Sequence, residues 1–134
     1  MRNVEFFLPM LPPTATAQEH KLNARGKCPR VYDPPAVREA RAKLEAHLAA
    51  HAPQEPFEGA VLLHTKWCFP ICGKHKDGEY RTSRPDITNL QKLFEDCMTR
   101  LGYWHDDAQI VVEITEKFWA RLPGIYVKVQ EVKQ

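Results

Sequence analysis

Two short stretches hold most of the chemistry this sequence can offer. The first, Arg84-Pro85-Asp86-Ile87-Thr88-Asn89-Leu90-Gln91-Lys92, sets a carboxylate just ahead of a helix and a lysine two turns inside it. The second, His105-Asp106-Asp107-Ala108-Gln109-Ile110, carries adjacent aspartates into a strand. Hard carboxylate oxygens suit a divalent cation such as magnesium, and a nearby ammonium suits the charge that develops on phosphate. Together they are the parts of a metal-dependent phosphodiester hydrolase. Each part also has a plainer use, since an aspartate before a helix caps it and an Asp-Asp pair serves a solvated turn. Cys68, Cys72 and His75 have a spacing that a zinc site uses, with Cys28 or Cys97 as the fourth ligand, but a second paired motif is missing.

These side chains need elements to position them. Leu90, Leu93, Phe94, Cys97 and Leu101 recur at helical spacing, predicting a helix from about Asp86 to Leu101 that Gly102 ends. Thr88 and Lys92 share its opposite, polar edge with Glu95 and Thr99, so they can reach one ligand. Such a helix is ~24 Å long, and Gly102 to Gln109 can span ~26 Å when extended. The chain can just return Asp106 and Asp107 to the helix start; alternatively, the two sets meet across a dimer interface.

Elsewhere, Val4 to Leu8 reads as a first strand, ended by Pro12-Pro13. Asp33 ahead of Pro34-Pro35 has the form of a cap, and Val37, Ala40, Leu44 and Leu48 extend a helix to about His51. Gly59 to Phe69 alternates as a second strand, and Gly73 to Arg84 is polar enough to predict a mobile, exposed loop. Ile110 to Trp119 and Ile125 to Val132 read as strands three and four, joined as a hairpin by Arg121-Leu122-Pro123-Gly124. The expected fold is α/β: a single small domain, 1–134, whose mixed sheet of about four strands packs with two helices.

Taken in order, Arg84 to Lys92, Asp96, Leu101 to Ile110, Glu113, Lys117 and Pro123-Gly124-Ile125 resemble the RusA-type Holliday junction resolvases, a family common in prophages. The likeness is close from Arg84 to Val129 and looser over Pro12-Pro13-Thr14-Ala15-Thr16 and Tyr32-Asp33-Pro34. Four cysteines unevenly scattered at 28, 68, 72 and 97 read separately as free thiols of a cytoplasmic protein. The resemblance implies a RusA-like fold and a homodimeric endodeoxyribonuclease acting in DNA recombination and repair. Such an enzyme resolves four-way junctions by paired symmetric nicks, using magnesium, for which manganese can substitute. Carried over by position, the resemblance gives catalytic roles to Asp86, Lys92, Asp106 and Asp107, and metal ligation to Asp86, Asp106 and Asp107.

One position departs from the pattern. The family usually reads Asp-x-Asp-Asn where this chain reads Asp86-Ile87-Thr88-Asn89, so a hydroxyl replaces a carboxylate. Thr88 can serve as a neutral ligand, but it brings no charge to offset dehydration of magnesium. The expectation is a site weaker or more demanding of metal; the alternative is a junction-binding protein whose catalysis is impaired at Thr88. Glu113 and Lys117 match the family's pattern and read equally as a surface pair on strand three.

Composition sets the outer bounds. At 134 residues, 43% hydrophobic and 27% charged, the chain can bury one core, which excludes disorder throughout. Nineteen basic against seventeen acidic residues leave a net +2, so nucleic-acid binding must rest on local patches. From His20 to Lys43 seven basic residues stand against two acidic ones, and Lys21, Arg25, Lys27 and Arg30 there are candidate phosphate contacts. Lys74, Lys76, Arg81 and Arg84 in the polar loop are others, with Tyr80 placed to stack on bases. No apolar run is long enough for a membrane helix, so no membrane partner is expected, while the resemblance implies branched DNA and a second copy of the chain as partners. Trp104 and Trp119 read as core or dimer-interface residues.

Overall fold

Val61, Leu63, Thr65, Trp67 and Phe69 are all buried while the residues between them are half-exposed, and this alternation decides what sits at the centre of the molecule. The structure, a computed structural model, describes residues 1–15 and 35–133. Along the chain these form β1 (Asn3–Leu8), α1 (Pro35–Ala49), β2 (Val61–Pro70), α2 (Ile87–Arg100), a short 3-10 turn (Asp107–Gln109), β3 (Ile110–Ala120) and β4 (Gly124–Glu131). The predicted mixed four-stranded sheet with two helices is what forms. The Asp33 cap and the basic residues Lys21, Arg25, Lys27 and Arg30 lie outside the described residues.

The sheet order is β1-β4-β2-β3. β2 pairs antiparallel with β4, setting Leu63 beside Val129 and Trp67 beside Ile125, and it pairs in parallel with β3 on its other edge. The expected hairpin between strands three and four is therefore absent. Parallel neighbours cannot be joined by a tight turn. The chain leaves β2, crosses the sheet as α2 and returns as β3, and residues 121–123 then carry it past the end of β2 to start β4 on the far side.

Gly124 is accordingly not a turn residue. A Cβ placed on it would stand 2.1 Å from a ring carbon of Phe7 and 2.5 Å from the Leu8 carbonyl oxygen. The glycine allows β1 to approach β4 closely at this point.

Both helices cover one face of the sheet. α1 contributes Val37, Ala40, Leu44 and Leu48, and α2 contributes Leu90, Leu93, Phe94, Cys97 and Met98. Trp67 meets Phe94 edge to face at 5.1 Å between ring centres, and the Tyr103 hydroxyl donates to the Leu48 carbonyl at 2.6 Å. Trp104 and Trp119 are both core residues. Gly102, at φ +82, ends α2, and the Tyr103 N–H returns to the Met98 carbonyl.

Two departures from regular pairing matter for the site. Between Val61 and Leu62 the register on β3 slips by one: Val61 faces Ile110, whereas Leu62 faces Val112 and Leu63 faces Glu113. This bulge turns Glu113 to the helix-covered face and leaves Val111, Val112 and Ile114 exposed. The loop after β2, expected to be mobile, is exposed but laced to the outer edge of β3. Gly78 and Arg81 donate backbone N–H groups to the carbonyls of Trp119 and Lys117, and the Trp119 N–H donates to Glu79. An edge strand has unpaired N–H and C=O groups, and this loop occupies those at its far end.

Gly124→Ala is expected to destabilise the protein by about 1–3 kcal/mol in urea unfolding, because the Leu8 carbonyl cannot swing aside as a side-chain tip would. An unchanged midpoint would mean that β1 and β4 are not packed this closely.

Candidate active site

α2 presents Thr88, Gln91, Lys92 and Glu95 at three- and four-residue spacing, so they share one side of the helix. Asp86 caps α2 in an extended conformation, and its side chain makes no capping hydrogen bond. After α2 the chain doubles back, and Gln109 fastens the returning turn. Its amide donates to the carbonyls of Phe57 and Gly59 at 2.9 and 2.8 Å, while its oxygen accepts from the backbone N–H groups of His105 and Asp106. Asp106 caps the 3-10 turn, accepting from the Ala108 N–H at 2.9 Å. Asp107, next along, faces α2.

The outcome is a cleft of about 320 Å³ lined by Thr88, Gln91, Lys92, Glu95, Asp96, Asp107 and Glu113, with Ile87 at one end. A second cleft of about 410 Å³ adjoins it, lined by Asp96, Thr99, Arg100, His105, Asp106 and Asp107. Asp96 and Asp107 belong to both. Lys92, Thr88 and Asp107 thus come together within one chain, with Asp106 next door. Asp86 lines neither cleft; its charge acts on Lys117, whose ammonium donates to the carbonyls of Ser83 and Pro85 at 2.7 Å each.

Sequence reasoning assigned no cleft role to Gln91, Glu95 or Asp96, although the helical spacing of all three was visible. Of the two readings open for Glu113 and Lys117, the family's pattern or a surface pair, the structure does not form the pair. Glu113 reaches the Gln91 amide in the cleft, and Lys117 anchors the chain entering α2.

Negative charge is crowded here. Burial pushes the Glu95 carboxyl up to about 8, helped by the hydrogen bond and charge of Glu113 and by the charge of Asp107, with the Gln91 amide acting the other way. Asp107 is also raised, first by desolvation and then by Asp106 and Asp96, with Lys92 in partial opposition. All the acidic donors are hard oxygens, the set that magnesium and manganese prefer. Among the described residues no three His, Cys, Asp or Glu side chains stand close enough together to form a metal-holding group. Magnesium needs fewer protein ligands than that, because it keeps several waters and takes one or two carboxylates together with phosphate oxygens.

The polar loop stands apart from the cleft. Tyr80 is 62% exposed, its ring stacked on Phe118 at 5.0 Å and its hydroxyl donating to Glu116 at 3.3 Å. Lys74, Lys76 and Arg84 are exposed. The Arg81 guanidinium is held over Phe69 and Trp119 and donates to Ser83 and the Arg84 carbonyl. No zinc site forms among the described residues: Cys68 and Cys72 are free, Cys97 is in the core, and His75 stacks on Trp119 and pairs with Glu79.

The family model described as Endodeoxyribonuclease RusA matches residues 10–130 of this chain. The chain is also 36% identical over 91 residues to a protein of Lactococcus phage r1t named Crossover junction endodeoxyribonuclease rusA. That match covers 66% of this chain and 70% of the relative. The residues that the family model matches include α2, the returning turn and β3.

In protein stripped of divalent cations, folding stability is expected to fall as pH rises. Folded Glu95 keeps its proton up to about 8, against an ordinary value of 4.5, so the folded state holds the extra proton in that interval. Stability present below the lower value is lost by the upper one. Urea midpoints across this range should decline less in Glu95→Gln than in the parent, and equal slopes would show that Glu95 is not held protonated.

Proposed function

Since the chain belongs to the RusA family of endodeoxyribonucleases, we propose that it is a magnesium-dependent nuclease that resolves four-way DNA junctions by paired nicks. The observation that carries this reading is the meeting of Lys92 and Asp107 across one cleft of a single chain, walled by further carboxylates and built between α2 and the turn that follows it.

The residues that would hold the metal are Asp107 and Thr88 in the cleft, with Asp106 beside it and Asp86 completing the predicted set from the helix start. When bound, the cation supplies Lewis acidity at the phosphate and a water of lowered pKa. Lys92 projects from α2 opposite Asp107 and offsets negative charge on the phosphate under attack. Thr88 adds an oxygen without a charge, so its contribution to metal affinity is weaker than a carboxylate's. Arg100 and His105 line the adjoining cleft, each paired with a carboxylate, Glu45 and Glu58 respectively.

Junction binding rests on other residues. Lys74, Lys76 and Arg84 in the loop, and Lys21, Arg25, Lys27 and Arg30 in the basic stretch, contact phosphates, which makes affinity steeply salt-dependent. Arg81 contributes by holding the loop that carries them. Tyr80 offers an exposed ring, already stacked from behind by Phe118, to an unpaired base at the junction centre. A four-way junction has approximate two-fold symmetry and needs two cuts, so the acting species is a C2 homodimer with two equivalent sites.

End-labelled four-way junction incubated with the protein in magnesium is expected to show paired symmetric nicks that linear duplex does not. Asp107→Asn and Lys92→Ala should each slow cutting by about 100-fold or more while leaving the junction shift on a native gel intact. A parent protein that shifts the junction but cuts it in neither magnesium nor manganese would be the junction-binding protein that Thr88 makes conceivable.

A further inference from the structure

Gln91 joins the core to the cleft: it is 4% exposed and lines the cleft all the same. The buried Trp67 indole N–H donates to Gln91 Oε1 at 2.8 Å. An indole nitrogen has a hydrogen to give and no lone pair to offer, so the amide oxygen must face it. That fixes the amide's flip. Its NH2 group turns away from the core and lies 3.4 Å from Thr65 Oγ1, Glu95 Oε2 and Glu113 Oε2. The reversed amide would set NH2 against N–H at one end and an oxygen against the Glu113 carboxylate at the other.

The strand side supplies an independent observation. The slip in register at Val61 puts Glu113 on the helix-covered face, where it lines the cleft while staying exposed, and puts Val112 and Ile114 on the other face, 40% and 42% exposed. A strand needing only a core would keep Val112 on the covered face and Glu113 on the other. The bulge delivers a carboxylate to the cleft, and the amide that Trp67 orients is what receives it.

Resting on the nuclease reading above, we infer that Gln91 is a positioning residue: its amide, set by Trp67, fixes where the Glu113 carboxylate stands and, through Glu113, how tightly the cleft takes a divalent cation. Gln91 is not itself a ligand, because it turns donors toward the cleft.

The test is direct binding of Mn2+ alone to the full chain, by calorimetry or loss of the free-ion EPR signal, with thermal melts alongside. Glu113→Gln and Gln91→Met, the second keeping length without an N–H, should each weaken Mn2+ binding about tenfold. Junction binding in EDTA should stay at the parent value. Trp67→Phe keeps a ring and removes the donor. It should weaken Mn2+ binding in the same direction, and the Trp67→Phe/Gln91→Met double variant should bind no worse than Gln91→Met alone.

If Gln91→Met does not melt cooperatively, Trp67→Phe carries the test by itself. Additive losses in the double variant, or parent-like Mn2+ affinity in a folded Gln91→Met or Glu113→Gln, overturn the inference. A parent protein that binds Mn2+ in this Gln91-dependent way yet cuts no junction supports the inference and overturns the nuclease reading.

Discussion

The parallel pairing of β2 with β3 governs the rest of the molecule. Two parallel neighbours must be connected by a crossover, and here the crossover is α2. α2 buries Leu90, Leu93 and Phe94 against the sheet, so its polar edge is held at the margin of the covered face. To begin β3 beside the start of β2, the chain must run back along α2 from its C-terminal end. The turn it makes before entering β3 therefore falls against that edge. Asp107 meets Lys92 because of this topology, and no long-range attraction between them is needed to bring it about.

What could be read from the sequence follows the same division. α2 and β2 were legible because each has one buried face and a clean period, 3.6 residues in one and two in the other. Lys92, Thr88 and Asp107 were legible as a set because they sit on α2 and on a turn whose reach could be bounded by chain length. The strand order was not. Arg121 to Gly124 has the composition of a hairpin, and only the competition for the edges of β2 shows that β4 takes the opposite side. Gly124 was misread for the same reason, since its lack of a side chain answers to Phe7 and Leu8, more than a hundred residues away in sequence.

Glu113 was hidden by a different mechanism. Ile110, Val111, Val112 and Ile114 look like the inward residues of a buried strand, which would set Glu113 on the face away from the helices. One extra residue in the ladder inverts the pattern, and a bulge has no signature in composition. The loop from Gly73 to Arg84 is exposed as its polarity predicts, but the vacant edge of β3 that anchors it is not visible in the sequence. Once that edge exists, Gly78, Glu79 and Arg81 satisfy it, and Tyr80 is presented from an anchored backbone.

The cleft concentrates carboxylates around a single ammonium, an arrangement that works against the fold when no cation is present. Glu95 shows how the strain is relieved, for a carboxyl that is half-buried beside Glu113 keeps its proton and one negative charge is removed. Position 88 bears on the same balance. A carboxylate there would add charge to a cleft already driven to neutralise itself, whereas the Thr88 hydroxyl adds an oxygen and no charge. The cation-free protein is thereby easier to keep folded, and in a metal-dependent nuclease the affinity for the ion would come more from Asp107 and the other acids of the cleft. Stability without metal and affinity for metal would then be opposed at one side chain, and the cleft draws its acids from three elements, α2, the 3-10 turn and β3, with the buried Gln91 amide between Glu95 and Glu113.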